Sequence, residues 1–405
     1  MTDAPHALIA GAGIGGLTTA LCLARAGFRV RLLERAELLE EAGAGLQISP
    51  NASVLLRDLG VLPRLSNAAL APAAIHIRRG RDGATLHRLP LENADRRWGA
   101  PYLLIHRADL QKALLEAVAQ KDEINLSMRA ELTDFTATET GIEATTRHGA
   151  VMVRYNADCL IGADGLRSFV RQRLADLPSQ RTIGSKPPAL PRRATHVAWR
   201  ALVNAEQVPA ELRRKESTLW LGPKAHLVHY PLRAGSVINI VAVVEGPVPI
   251  DWTVDIWSQP GTPEEITARF SAWHEDARTL IAAAHIWRKW PLVDLAPLPA
   301  WTTGRVALLG DAAHPMLPFL AQGAAQAIED AAMLGALLRP GCGIETAFAA
   351  YAAARRKRAR KVQAQSHRQA HIYHLAGPAA FLRDLALRSM GAQQLLAGYD
   401  WLYRT

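Results

Sequence analysis

Four glycines within six residues, Gly11-Ala12-Gly13-Ile14-Gly15-Gly16, separate a short apolar run at residues 6–10 from a helical stretch running from Ile14 to about Ala26. Gly27 is placed to end that helix. Phe28-Arg29-Val30-Arg31-Leu32-Leu33 then alternates in polarity, as a strand does, and ends on Glu34, 18 positions after Gly16. Strand, glycine turn, helix and strand form a βαβ opening. In such a unit the first glycine allows the tight turn, the second lets the backbone approach a pyrophosphate, and the third lets helix and strand pack closely. The phosphates meet the free N–H groups of the helix N-terminus, and an acid about 20 residues on accepts the ribose hydroxyls. A ligand-free turn would explain the glycines alone, but it does not explain the strand, helix, second strand and acid together. At this point NAD and FAD both remain open.

The rest of the chain supplies context. At 405 residues it exceeds one simple core, and two domains, or a nucleotide domain with an insertion, are expected. A composition 49% hydrophobic and 21% charged is that of a globular, soluble protein. Cys22, Cys159 and Cys342 are too scattered for a disulfide framework or a metal motif, which fits a reducing cytoplasm. No apolar run is long enough for a membrane helix, and the N-terminus lacks a basic leader and cleavage site. The net charge of +10 suits either a nucleic-acid surface or a basic enzyme for anionic ligands. Neither zinc spacing nor an aromatic-basic RNA signature supports the first. Much of the excess lies in Arg355-Arg356-Lys357-Arg358 with Arg360 and Lys361, which reads as a solvated helix face.

Along the chain, a second helix is expected from Asn51, as N-cap, to Leu59. A hairpin is expected around Arg78–Gly83, a helix from His106, a β-meander over 124–153 and a buried strand Cys159–Ala163 ending at Asp164-Gly165. A Pro-, Ser- and Arg-rich crossing spans 176–193. Strands follow at Thr195–Val203, Ser217–Leu221, Ala225–Pro231 and Val237–Val244, then a helix over Pro263–Ala284. Val306–Leu309 is another buried strand, Gly323–Leu338 an Ala-rich helix, and 344–405 helical.

Two further segments carry a resemblance. Residues 158–171 read Asp-Cys-Leu-Ile-Gly-Ala-Asp-Gly-Leu-Arg-Ser-Phe-Val-Arg, and 306–315 read Val-Ala-Leu-Leu-Gly-Asp-Ala-Ala-His-Pro. With the glycine turn, in that order, they resemble the single-component FAD-dependent aromatic hydroxylases over nearly the whole chain. The segments Gly43–Asn51 and Pro315–Ala324 resemble the branch containing salicylate hydroxylase, 3-hydroxybenzoate 6-hydroxylase and 6-hydroxynicotinate 3-monooxygenase. Gln47 stands where the hydroxynicotinate enzyme has histidine, and Ala321 where many members have glycine.

The resemblance implies an α/β fold: a Rossmann-like FAD-binding domain, an inserted β-sheet substrate domain and a helical C-terminal tail. The division is 1–74, 101–180 and 285–350 for FAD, 75–100 and 181–284 for substrate, and 351–405 for the tail. It implies FAD held by Gly11, Gly13, Gly15, Gly16, Glu34, Arg35, Gln47, Arg107, Asp164, Gly310, Asp311, Pro318, Gly323 and Ala324, with Asp311 on the ribitol and Asp164-Gly165 also linked to nicotinamide-cofactor binding. It also implies a cytoplasmic monooxygenase, monomeric or dimeric, using O2 and NADH or NADPH. Oxygen would pass from a flavin hydroperoxide to a small aromatic or heteroaromatic acid. Other readings are the same chemistry on a secondary metabolite, polyketide or quinone precursor, or a flavin protein without turnover. No metal, nucleic-acid or membrane partner is expected.

In Ala225-His226-Leu227-Val228-His229-Tyr230-Pro231, positions of even separation share a strand face. His226 and Tyr230 therefore face one way and His229 the other. His226 is the candidate proton acceptor for a phenol and Tyr230 its hydrogen-bonding partner, an arrangement similar to that of 3-hydroxybenzoate 6-hydroxylase. The tryptophans are core residues by default, with Trp199 or Trp220 the candidates for an aromatic pocket lining.

Overall fold

The structure, a computed structural model, describes residues 4–39, 45–176, 190, 193–252, 256, 258–339 and 341–404. Gly43-Ala44 and nearly all of the 176–193 crossing lie outside the described residues.

The opening βαβ unit forms as expected: strand His6–Ala10, helix Ile14–Arg25 and strand Arg29–Leu33. Ala7, Leu8, Ile9 and Ala10 are all buried, the mark of a central parallel strand covered on both faces. It lies in a six-stranded sheet ordered Thr302–Thr303, Val306–Leu308, Cys159–Gly162, His6–Ala10, Arg29–Leu33, Ile124–Ser127, parallel except at the Thr302–Thr303 edge. The expected meander occupies 130–157 as three antiparallel strands, while Ile124–Ser127 joins the parallel sheet instead.

An eight-stranded sheet forms the second layer system. Its order is Gln259–Gly261, Trp287–Pro291, Arg193–Asn204, Val237–Pro249, Ala225–Leu232, Glu216–Gly222, Ala74–Arg79, Thr85–Pro90. One face, with Trp199, Trp220, Leu227, Ile240 and Ala242, packs on helices Pro263–Arg269 and Glu275–Ala282. The other carries His226, Val228 and Tyr230, with His226 against Phe319 of the segment 315–322, the loop expected to face the flavin.

Four details differ from expectation. The helix Pro50–Asp58 starts earlier, with Ser49 at the N-cap position but no side-chain cap bond and Pro50 in its first turn, and the Asn51 amide instead donates to Gln322 and Glu329. The 263–284 segment is two helices, because the His274 imidazole caps a new start by accepting from Asp276 N. Trp199 and Trp220 lie in the core on the face opposite His226 and Tyr230, because odd and even strand positions diverge.

The fourth concerns the basic run on the helix Ile344–Tyr373. Lys357, Arg360 and Lys361 are exposed, but Arg355 is buried between Glu329 and Asp330 of the helix Gly323–Leu337. Arg358 also pairs with Glu329 and donates to the carbonyls of Trp401 and Leu402. The run binds the C-terminal helices to the rest of the protein.

Candidate active site

The three sequence motifs meet at one place. A methyl group on Gly11 would lie 2.5 Å from the Ala163 carbonyl oxygen, and one on Gly15 would lie 2.7 Å from Leu309 Cδ2. Gly16 is tighter still, with Gly11 O only 1.8 Å from its would-be Cβ. The glycine turn thus packs against the strand ends bearing Asp164-Gly165 and Gly310-Asp311. Gly11 also has φ +100, which favours glycine. Gly13 differs, since a Cβ there meets nothing within 4 Å. Gly323, at the start of its helix, likewise faces open space.

Gly13 and Gln322 begin the helices Ile14–Arg25 and Gly323–Leu337 without a side-chain cap. Two helix N-termini therefore present unsatisfied N–H groups beside open space, the arrangement that favours anions. A pyrophosphate at the first and the pyrimidine side of a reduced flavin at the second fit these termini. Glu34 accepts hydrogen bonds from the amides of Ala12 and Ala36, both at 2.9 Å, so its carboxylate is fixed at the strand end where the ribose would lie. Arg35 is exposed beside it. Asp311 is hemmed in by protein but keeps a solvent-facing surface, as a cleft-wall residue does. These surroundings raise its carboxyl pKa, opposed by the positive charges of His314, Arg107 and Arg171. Pro318 is also exposed and Ala324 half-buried.

Asp164 has a structural duty. It accepts from Ser168 Oγ and Val170 N at the start of the helix Phe169–Asp176, and burial raises its carboxyl pKa. Arg171, to which the sequence reading assigned no role, donates to the carbonyls of Leu166, Asp311 and Ala312 and so ties two motifs together. Behind the second motif, Asp330 accepts from Gly310 N at 3.0 Å, His314 Nε2 lies 2.6 Å from it, and Arg355 completes the set. Gly310 has φ +58. Ala321 holds φ +53, a conformation easier for glycine, which gives a backbone reason for glycine at this position in related chains.

The sheet face that carries His226 and Tyr230 is set by register. Cross-strand pairs His226–Val243, Val228–Val241 and Tyr230–Asn239 continue to Ala198, Arg200 and Leu202 on the next strand. His226, Tyr230, Asn239 and Arg200 therefore point the same way. His229 faces oppositely and accepts from Trp220 Nε1 at 3.2 Å. Gly45 abuts Tyr230 and Asn239: its N donates to Asn239 Oδ1 at 2.9 Å, and a Cβ there would lie 2.6 Å from the Tyr230 hydroxyl. Gln47 accepts from Tyr102 OH at 2.7 Å and from Ser217 Oγ at 3.3 Å, next to this face.

Arg200 is the residue the sequence reading missed. Its guanidinium stacks 4.0 Å from the Trp290 ring centroid. Its buried Nε has no hydrogen-bond partner, and no carboxylate pairs with it among the described residues. Burial, with the charge of Arg107 adding, pulls its pKa down to about 10, so it stays protonated at neutral pH. An arginine in the otherwise apolar run Val197-Ala198-Trp199-Arg200-Ala201-Leu202 was a visible signal.

His226 is buried against Phe319 of the flavin-facing loop, with ring centroids 5.3 Å apart. Burial, then the neighbouring His374 and His196, hold its pKa well below the usual 6.5. Its Nδ1 is 2.8 Å from His374 Nε2. His196, Glu245 and His374, distant in sequence, bring one ligand-type atom each within 4.8 Å of one another.

Against this geometry, comparisons with known proteins are consistent. Residues 5–366 match the FAD binding domain family. The chain is 37% identical to a 3-amino-4-hydroxybenzoate 2-monooxygenase of Streptomyces platensis, covering 99% of this chain and 96% of the relative. It is also 37% identical to 3-hydroxybenzoate 6-hydroxylase 1 of Aquipseudomonas alcaligenes, covering 98% and 96%. A salicylate hydroxylase–substrate complex superposes with a TM-score of 0.82 at 26% identity, covering 100% of this chain and 96% of that one. The chain belongs to the FAD-binding family of aromatic monooxygenases.

Proposed function

We propose that this flavoenzyme hydroxylates a small phenolic aromatic acid at the expense of NADH or NADPH, with Arg200 receiving the carboxylate and His226 the phenolic proton. The observation carrying this reading is the protonated, unpaired Arg200, on the same sheet face as His226 and Tyr230. A half-buried cation stacked on Trp290, with an unsatisfied Nε and no carboxylate partner among the described residues, leaves a place for a ligand carboxylate to make charge-assisted hydrogen bonds. Phenolic benzoates are what the relatives named above act on. FAD supplies the oxygen-activating chemistry when bound, held by the glycine turn, Glu34, Arg107, Asp311 and the helix start at Gly323. The protein's residues then orient the ring and exclude water.

His226 is neutral at physiological pH because its pKa is depressed, so it is in the state that accepts a proton. Removing the phenolic proton makes the ring electron-rich, and Tyr230, on the same face, would hydrogen-bond the substrate. In steady-state kinetics with the acid that most stimulates NADH oxidation, Arg200→Met is expected to raise KM roughly 30- to 3,000-fold, the equivalent of about 2–5 kcal/mol. The matching carboxamide should be nearly unaffected. Equal losses on acid and amide would assign Arg200 to packing alone. His226→Ala is expected to lower hydroxylation about 10²- to 10⁴-fold, with FAD content unchanged by absorbance. Undiminished turnover would remove His226 from the reaction.

A further inference from the structure

A base buried beneath a sheet must pass its proton on before it can act again. His226 is poorly suited to keep one, since burial and its histidine neighbours hold its pKa well below 6.5. Its Nδ1, however, sits 2.8 Å from His374 Nε2, at the C-terminal end of the helix Ile344–Tyr373. The second ring nitrogen of His374, Nδ1, is buried and has no hydrogen-bond partner. It lies 3.8 Å from Glu245 Oε2, a side chain 46% exposed. That gap is wider than a direct hydrogen bond, and a rotamer change of the half-exposed Glu245 side chain closes it. Glu245 N is tied to the Lys224 carbonyl, in an exposed turn.

We propose that His226, His374 and Glu245 form a proton wire from the substrate pocket to solvent. This rests on the reading of His226 as the proton acceptor. The starting state has both histidines protonated at Nδ1. The phenol O–H bond breaks and its proton goes to His226 Nε2. The His226 Nδ1–H bond breaks as that proton passes to His374 Nε2. The His374 Nδ1 proton then leaves to the Glu245 carboxylate as that side chain closes on it. One proton enters at the pocket and one leaves at the surface, with no net charge left on either ring. A proton returning along the same path, when the product oxygen is reprotonated, restores both starting tautomers.

The surroundings suit transit rather than storage. His374 is depressed to about 3 by burial, then by the charges of His196 and Arg383. Arg383 approaches from the helix Gly377–Ser389 and donates to the carbonyls of Ile372 and Tyr373. His196, on the strand beside Glu245, is lowered by burial and by His367, and raised by Glu245. Phe319 and Tyr373 close the apolar sides. Glu245 is the acidic group at the end of the path. His374 acts through His226, its hydrogen-bonded neighbour, by positioning and discharging it.

The test uses the FAD-loaded full-length chain. In 15N-histidine NMR at neutral pH, signals assigned by their loss in His226→Asn and His374→Asn should show both rings protonated at Nδ1. A His226 ring protonated at Nε2 overturns the wire whatever substrate is turned over. With 3-hydroxybenzoate and 3-amino-4-hydroxybenzoate as probes, His374→Gln should lower kcat at least about tenfold with KM unchanged. Glutamine keeps a hydrogen bond to His226 but cannot pass a proton, so a merely structural role would leave the rate intact. His374→Ala should regain rate on addition of imidazole, and Glu245→Gln should make turnover depend on buffer concentration. A slow His226→Ala beside a His374→Gln enzyme of wild-type rate, unaffected by imidazole, overturns the wire alone. Undiminished turnover of His226→Ala overturns the underlying reading as well.

Discussion

Gly16→Ala is expected to give protein that purifies without its yellow flavin and hydroxylates nothing. The added Cβ would sit 1.8 Å from the Gly11 carbonyl oxygen, a backbone atom that cannot swing aside. Either the turn or the helix Ile14–Arg25 must shift, and both hold the cradle. A loss of FAD affinity exceeding about 100-fold, near 3 kcal/mol, is the expected scale. Isothermal titration of the apoprotein with FAD measures it. Gly13→Ala makes the comparison sharp. A Cβ there meets no protein atom within 4 Å, so the apoprotein should melt as wild type does while FAD binding still falls, because the methyl group occupies the space the pyrophosphate needs. FAD binding unaltered by Gly13→Ala would move the pyrophosphate away from this turn.

Arg355→Met should be the most destabilising change outside the cofactor site. Arg355 is buried and pairs with both Glu329 and Asp330, which are themselves buried. Removing it breaks a buried ion pair and leaves Glu329 to Arg358 and Asp330 to His314, a loss of about 3–5 kcal/mol. Chemical denaturation of the FAD-loaded protein reads it. The pH dependence supplies a second signature. Asp330 is held down to about 2 in the folded protein: burial alone would raise it, but His314 and Arg355 outweigh that effect. A carboxyl depressed on folding stabilises above its unfolded pKa of about 4 and loses that contribution as pH falls from about 4 to 2. Without Arg355 the same carboxyls should bind protons more readily when folded. The gap between wild type and Arg355→Met should then narrow as pH drops from 7 towards 4. A constant gap would assign the loss to packing rather than charge.

What could be read from the sequence followed from local rules. The glycine turn, the strand before it and Glu34 are neighbours along the chain, and their geometry depends on one βαβ unit. The Ala225–Leu232 strand was legible because alternation fixes faces, which separated His226 and Tyr230 from His229 without knowledge of any neighbour. Apart from the split of 263–284, set locally by His274, the misreadings below involve a distant partner. Arg355 looked solvated because Glu329 and Asp330 stand on another helix. Asn51 looked like a cap because its true partners, Gln322 and Glu329, are some 270 residues away. Trp199 and Trp220 looked free to line a pocket until the strand faces were assigned across the sheet. His374 carried no local signal at all, since its meaning comes from His226, 148 residues earlier.

The order of strands in the parallel sheet also has a consequence for how the protein comes to hold its cofactor. His6–Ala10 is flanked by Cys159–Gly162, which in turn is flanked by Val306–Leu308. The His6–Ala10 strand is therefore synthesised well ahead of Val306–Leu308, which covers the far side of Cys159–Gly162. Until then the Cys159–Gly162 strand is an apolar edge open to mispairing. Long-range pairing of this kind is slow to form and leaves intermediates exposed. The nascent chain has the turn for the pyrophosphate but not the wall that bears Asp311. Flavin capture thus belongs to the end of synthesis, and a chain truncated before residue 306 would keep the dinucleotide fingerprint without a complete place to put the flavin.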